Sequence, residues 1–232
     1  MCNDLLANLK VIKMKLTVME KDLQNCITYY KHLHMYPELG NEEYETQKYV
    51  SSLVRDMGYE IIPVDTTGFI AYLDVGADQT LALRAELDAL PIEESNSSQI
   101  RSMNPGVFHA CGHDAHMAML ITVGKIIQRN KGLLKNNIAL LFEEAEEIGS
   151  GTPPICDALT QFNIKSIWGI HVEPDVKAGL IALNEGPIMA GSADINITIR
   201  GAGGHSSRPD YCNNPINAVA AIVQSIRTLW LD

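Results

Sequence analysis

The chain has 232 residues, 46% hydrophobic and 20% charged, enough for one large domain or two modest ones with a substantial core. Its 18 lysines and arginines against 28 aspartates and glutamates leave a net charge of −10. That balance argues against nucleic acid as a partner, because phosphate repulsion would have to be overcome. The five cysteines (Cys2, Cys26, Cys111, Cys156 and Cys212) are scattered and form no disulfide framework. The opening MCNDLLANLKVIKMKL lacks the pattern of a secretory signal, and no apolar run approaches a membrane span. The expectation is a cytoplasmic protein handling small molecules, with neither a membrane nor a nucleic-acid partner.

Residues 4–33 carry apolar side chains at helical spacing, among them Leu5, Leu9, Ile12, Leu16, Leu23, Ile27 and Tyr30. This predicts one or two helices, broken by Pro37 and Gly40. Asn41 reads as the N-cap of a helix with Glu42 and Glu43 in its first turn, ending at Gly58. Apolar runs at 60–64, 69–74 and 81–87 read as strands, EESNSSQIRSMNPG as a loop and MAMLITVGKIIQ as a helix. NNIALLFEE suits a strand buried on both faces, and KSIWGIHVE reads as a further strand. Strands alternating with helices predict an α/β fold: a mostly parallel sheet with helices on both faces. From about Gly179 the pattern changes. GLIALNEGPIMAG is hairpin-like, ADINITIRG alternates as a half-exposed strand does, and NPINAVAAIVQSIRTLW is an amphipathic helix. These predict a first domain over 1–188 and the first part of an α+β domain over 189–232. Asp232 follows the helix with no strand to complete that second sheet, so the expectation is an N-terminal fragment of a longer protein.

The densest chemistry lies at residues 109–116, HACGHDAH, which hold three of the seven histidines, a cysteine and an aspartate. Cys111 and His113 stand two apart, so on an extended segment they point to one side. A thiolate beside an imidazole suits a borderline transition metal such as zinc. Further acids end the predicted strand at 137–143: Glu146 and Glu147 are neighbours that project differently, so one can ligate while the other faces a water. Adjacent acids there are costly to bury unless they bind a cation or share a proton. His171 and Asp88 also end strands, where open α/β sheets place their sites, and Asp88 is suited to orient a ligand histidine.

The stretches LHMYPELGNEEYET, ALRAELDALPIEE, GVFHACGHDAH, FEEAEEIGSG, GIHVEP and GPIMAGSADINITIRGAGGHSSRP resemble, in order, the zinc- or manganese-dependent amidohydrolases of the aminoacylase/carboxypeptidase superfamily. The branch resembled contains hippurate hydrolases, indole-acetyl-amino-acid hydrolases and N-acyl-amino-acid deacylases. The resemblance implies a catalytic domain with two divalent metal ions and an inserted lid domain that forms a homodimer. It implies Cys111, His113, Glu147 and His171 as metal ligands and Glu146 as the general base acting on metal-activated water. It also implies His205 as an oxyanion-stabilising residue from the lid, and Asp88 and Asp114 as supporting acids. The implied substrate is a small N-acyl amino acid or related amide. His32, His34, His109 and His116 are read as structural. Glu86 stands where the resembled pattern commonly has aspartate, and FEEAEE where FQPAEE is common. One more histidine ligand is expected beyond Asp232. Two other readings stay open: a non-catalytic metal-binding or dimerisation module, and a dipeptidase or aminopeptidase on the same scaffold.

Overall fold

The computed structural model describes residues 16–95, 100–189, 191 and 195–226, and the backbone divides into two compact units, Met1–Asp175 and Val176–Asp232. Residues 4–15 of the first predicted helix, 190 and 192–194 of the predicted hairpin and strand, and 227–230 of the last helix lie outside the described residues.

The first unit runs α1 (Glu20–Met35), α2 (Tyr44–Asp56), β1 (Glu60–Val64), β2 (Gly68–Leu73), β3 (Thr80–Glu86), α3 (His113–Arg129), β4 (Asn137–Glu143), α4 (Thr152–Leu159) and β5 (Ile164–Gly169). The five strands form one sheet in the order β1-β2-β4-β3-β5. β3 pairs in parallel with both β4 and β5, while β2 runs antiparallel to β1 and β4. Four strands therefore share a direction and β2 alone opposes them, so the sheet is mostly parallel.

The apolar run of β4 explains the layering. Every residue of Asn137–Glu143 is buried, and alternate side chains go to opposite faces. Ile138, Leu140 and Phe142 join a core with Leu33 of α1, Val50 and Val54 of α2, and Met117 and Ile121 of α3. Ala139 and Leu141 join a smaller core on the other face with Ile155 and Leu159 of α4. Phe69 of β2 stacks on Phe142 with ring centroids 4.7 Å apart. Each such large side chain taken from water stabilises the sheet by about 1.5–3 kcal/mol.

Two helix starts differ from expectation. Asn41 has φ +65°, whereas an N-cap residue is normally extended, and α2 begins at Tyr44. Its orphan donors are met from upstream: the Glu38 carboxylate accepts from the backbone N–H of Glu45 at 3.2 Å and of Thr46 at 2.7 Å. This leaves Glu43 free to turn inward, where it is fully buried. α3 begins at His113, four residues before the first apolar residue of its predicted run. Gly112 precedes it at φ +91°, a conformation that favours glycine.

In the second unit, Ala202 and Asn213 form an antiparallel bridge with mutual N–H to carbonyl bonds of 3.1 and 3.0 Å. A short 3-10 turn (Pro209–Tyr211) leads to α5 (Pro215–Ile226). Among the described residues of the predicted hairpin at 179–191 and strand at 193–201, no strand forms, and Ile181, Leu183, Ile188, Ile195 and Ile197 are exposed. A strand's backbone groups are satisfied by a neighbour, and no described segment pairs with these. Among the described residues, no helix is long and apolar enough to cross a membrane.

Candidate metal centre

Because β3, β4 and β5 run parallel, their C-terminal ends open on one edge of the sheet, the position where such sheets gather ligand-binding groups. Asp88 lies two residues past β3, Glu146 and Glu147 three and four past β4, and His171 two past β5. The start of α3 brings Cys111 and His113 to the same edge. These two do not sit on an extended segment: Gly112 turns the chain through the left-handed region, and His113 opens the helix. They converge by that turn instead.

His113 is the hub. Its Nδ1 lies 2.8 Å from the Asp88 carbonyl oxygen and 3.2 Å from Asp88 Oδ1; both are acceptors, so Nδ1 carries the proton and donates. Nε2 faces Glu146 Oε2 and Glu147 Oε1, each at 3.8 Å. The Cys111 Sγ is 3.3 Å from His171 Nε2. Donor atoms of Cys111, His113 and His171 lie within 4.8 Å of one another, as do those of His113, Glu146 and Glu147. Glu147 Oε1 is buried without a hydrogen-bond partner. Soft, imidazole and carboxylate donors converging around an unsatisfied buried oxygen fit a divalent metal cation.

The electrostatics show a concentration of negative charge that a bound cation would offset. Burial, and then the adjoining Glu147 and Glu146 carboxylates, push the Cys111 thiol up to about 12. Burial pulls His113 down, but the hydrogen bond to Asp88 and the charges of Glu86 and Asp88 outweigh it and raise the imidazole to about 9. Burial also raises the Glu146 carboxyl; His113 offsets part of this and Glu147 adds to it. A carboxyl raised toward neutrality is suited to moving protons.

Asp88 supports two groups at once. Besides His113, its Oδ2 accepts the Glu147 backbone N–H at 2.9 Å, so one fully buried carboxylate sets both an imidazole and the turn that carries the acids. That turn is strained: Ala145 is left-handed at φ +48°, at a cost of about 1–3 kcal/mol for a residue with a side chain. Glu43 Oε1 accepts the Ala145 N–H at 2.8 Å. Glu43 Oε2 and Glu144 Oε2 each lie 2.7 Å from Thr67 Oγ1. One hydroxyl proton cannot serve two carboxylates, so one of the pair is a neutral acid. Glu144 also accepts from the backbone N–H groups of Thr66, Thr67 and Gly68. Burial pushes Glu144 up, but these donors together hold it below its ordinary range, whereas burial raises Glu43. Of the two, Glu43 is the carboxyl that its surroundings favour as the neutral acid.

Sequence reasoning missed this support. Glu43 is expected only in the first turn of a helix, and nothing local in the sequence pairs Thr67 and Glu144 with it. His116 and Glu86 also belong here: His116 Nδ1 lies 2.8 Å from Glu86 Oε2. Arg84 bonds both Glu86 and Glu143, which stand opposite each other on β3 and β4. Asp114 meets His34 Nδ1 at 2.7 Å, and His34 Nε2 faces Glu94 at 3.4 Å. His109 is buried with neither ring nitrogen partnered. His205 lies in the second unit, exposed, with Nδ1 accepting from Ser207 Oγ at 2.8 Å and from its backbone N–H at 3.3 Å. That assigns the proton to Nε2, leaving an outward donor.

Comparison with known proteins bears on this geometry. Residues 82–232 match the model of peptidase family M20/M25/M40. The chain is 38% identical over 200 residues to an Arabidopsis thaliana protein named IAA-amino acid hydrolase ILR1-like 5, covering 86% of this chain and 46% of the relative. It is 34% identical over 220 residues to N-acetyl-L-cysteine deacetylase of Bacillus subtilis, covering 93% and 52%. Among solved structures, the YXEP protein of Bacillus subtilis, described as a dinuclear metal binding peptidase, superposes with TM-score 0.69 at 32% identity. That match covers 73% of this chain and 48% of the other. A putative aminohydrolase from methicillin resistant Staphylococcus aureus gives 0.73 at 27% identity, covering 90% and 59%. The chain spans about half the length of the curated relatives it matches. With residues 82–232, well over half of its length, inside the family model and its donor groups gathered at one edge of the sheet, the chain belongs to peptidase family M20/M25/M40.

Proposed function

We propose that the protein hydrolyses the amide bond of N-acyl amino acids or closely related small amides, with two divalent ions, zinc or manganese, as cofactors. The observation that carries this is Glu146: a half-buried carboxyl raised by burial, 3.8 Å from His113 Nε2 and beside a cluster of metal donors. A binding site alone has no use for such an acid. Two relatives support the substrate class by name, one an IAA-amino acid hydrolase and one an N-acetyl-L-cysteine deacetylase.

Cys111, His113, Glu147 and His171 would hold the ions. A bound divalent ion supplies Lewis acidity, polarising the amide carbonyl and acidifying water. Glu146 takes a proton from the attacking water at its carboxylate and delivers it to the amide nitrogen as the C–N bond breaks, releasing a carboxylic acid and an amine. Asp88 keeps the His113 proton on Nδ1 throughout, so that Nε2 stays a donor of electrons. His205, brought in across a homodimer formed through the lid part of the chain at 189–232, donates Nε2–H to the oxygen on which charge develops. Residues 1–188 belong to the catalytic domain, and the protein works in the cytoplasm.

The test is to load the chain with zinc or manganese and follow release of free amino acid from N-acetyl and indole-acetyl amino acids beside dipeptides. Cleavage of the acyl amino acids, abolished by chelation, is expected. Metal uptake without hydrolysis of any of them would make the chain a metal-binding module instead, and a preference for dipeptides would make it a peptidase.

A further inference from the structure

His116 has no part in the roles assigned so far, yet it is almost fully buried and both its ring nitrogens are engaged. Its donor atoms fall within 4.8 Å of those of Glu86 and His113, which invites reading it as a metal ligand. The hydrogen bonds point elsewhere. Nε2 lies 3.0 Å from the Val172 backbone nitrogen, and a backbone N–H can only donate, so Nε2 presents its lone pair to Val172. The ring proton is then on Nδ1, where Glu86 Oε2 accepts it at 2.8 Å. Glu86 is in turn held by Arg84 Nη1 at 2.5 Å. The imidazole has no lone pair left for a cation.

Val172 is the residue after His171. Its carbonyl accepts the His171 Nδ1 proton at 2.7 Å, which leaves the Nε2 lone pair of His171 facing Cys111 Sγ at 3.3 Å. The Val172 side chain is held as well: a Cβ on Gly112 would come 2.3 Å from Val172 Cγ2, so only glycine at 112 admits this approach. Val172 is thus gripped at its N–H by His116 and at its side chain by the turn between Cys111 and His113.

We propose that His116, set by Glu86, is a positioning residue for His171: it pins the Val172 backbone, whose carbonyl aims the imidazole of His171 at the point it shares with Cys111. This rests on the metal-centre reading above and adds a member to it. His171 follows a strand whose last residues are exposed; besides the Val172 link, its ring meets the edge of His116 with centroids 4.7 Å apart, a contact that a phenylalanine at 116 would keep. Outer groups that orient metal-binding histidines typically contribute 10–100-fold in affinity.

The experiment is a Co(II) titration of the 232-residue chain, read by bound metal and by the thiolate charge-transfer absorption of Cys111. It compares the parent with His116→Phe, His116→Gln and Val172→Pro. Glutamine returns an acceptor oxygen near the position of Nε2, phenylalanine keeps the volume without it, and Val172→Pro removes the donor while leaving the buried imidazole untouched. His116→Phe and Val172→Pro are expected to weaken Co(II) by about 10–100-fold and to change the absorption. His116→Gln is expected to stay close to the parent. The double variant His116→Phe/Val172→Pro is expected to be no weaker than either single change, because both cut one link. Should Phe and Pro variants bind as the parent does, the proposal is wrong while the metal centre stands. A Gln variant as weak as Phe would also overturn it, making the imidazole itself the ligand. A parent chain that takes up no Co(II) would remove both the metal centre and its positioning residue.

Discussion

Five consecutive residues at the end of β4, Glu143-Glu144-Ala145-Glu146-Glu147, divide into two halves with opposite fates. The first half is saturated. Glu143 is bonded to Arg84 and Thr152, and Glu144 takes three backbone N–H groups and a hydroxyl. The second half is left hungry: Glu147 Oε1 is buried with no hydrogen-bond partner, and Glu146 faces His113 across 3.8 Å. Four identical side chains in one short run thus separate by satisfaction alone. A carboxylate whose lone pairs are already filled by the protein holds the backbone, and one whose lone pairs are unfilled is poised for a cation or a proton. The left-handed Ala145 is the divider, sending the acids before it inward and those after it to the sheet edge.

The widest separation between the halves should come from two isosteric or truncating changes. Glu146→Gln removes the proton acceptor without altering shape, and is expected to lower the rate of acyl-amino-acid hydrolysis by about 10²–10⁴-fold with metal content unchanged, read by turnover beside metal analysis. A Gln variant with parental turnover would sink the base assignment. Glu144→Ala should do the reverse. It strands the N–H groups of Thr66, Thr67 and Gly68 in a buried place, and is expected to cost about 3 kcal/mol of stability, measured as a shift of the urea midpoint. If that variant unfolds at the parental midpoint, the two halves are not distinguished as described.

Asp88→Asn probes the joint between the halves and should have a smaller effect. One carboxylate currently accepts from both the His113 ring and the Glu147 backbone. An amide offers only one oxygen, so its NH₂ must face one of those two donors. The expected loss is about 10–100-fold in metal affinity, by calorimetric titration with zinc. An unchanged affinity would mean that the Asp88 carbonyl, 2.8 Å from His113 Nδ1, suffices to hold the ring.

Much of this was legible in the residues and some was not, for physical reasons. The strands β1 to β5 follow from apolar runs whose hydrogen-bond partners lie within the described chain. The hairpin and strand expected near 179–201 had the right alternation but have no described neighbour to pair with. Cys111 and His113 stood out as a thiol and an imidazole two residues apart in a dense polar cluster, and Glu146, Glu147 and His171 as polar side chains just past strand ends, where they are costly unless used. Glu43, Thr67 and Glu144 did not stand out, since the feature that matters is a shared hydroxyl between residues 24 and 77 positions apart in sequence. Asn41 misled because an N-cap side chain and a left-handed turn favour the same residue types, and only the Glu38 carboxylate, three residues upstream, decides between them by taking the helix donors of Glu45 and Thr46. His116 was set aside as structural, and its link to Val172 spans 56 residues, beyond any local pattern.

The finest test concerns the proton on Glu43. Burial raises this carboxyl above its ordinary 4.5, and the bonds from Thr67 and Ala145 only partly offset that. In the unfolded chain the group ionises at its ordinary value, so above that pH the folded state holds a proton that the unfolded state has released. The stability this group contributes is fully present below about pH 4.5 and is lost as the pH rises through the higher folded value. Glu43→Gln keeps an oxygen for the Ala145 N–H and an N–H₂ for Thr67 Oγ1, reproducing the neutral acid without a titratable proton. Its stability should therefore fall less than the parent's as the pH rises above about 4.5, while the two chains differ least at the acid end. Denaturant midpoints across that range give the comparison. Parallel slopes would mean that Glu43 is ionised and Glu144 carries the proton, so the same series on Glu144→Gln would then show the flattening. Either result locates the shared proton, but only the first leaves Glu144 as the charged anchor of the Thr66–Gly68 turn and the saturated half of the run as described.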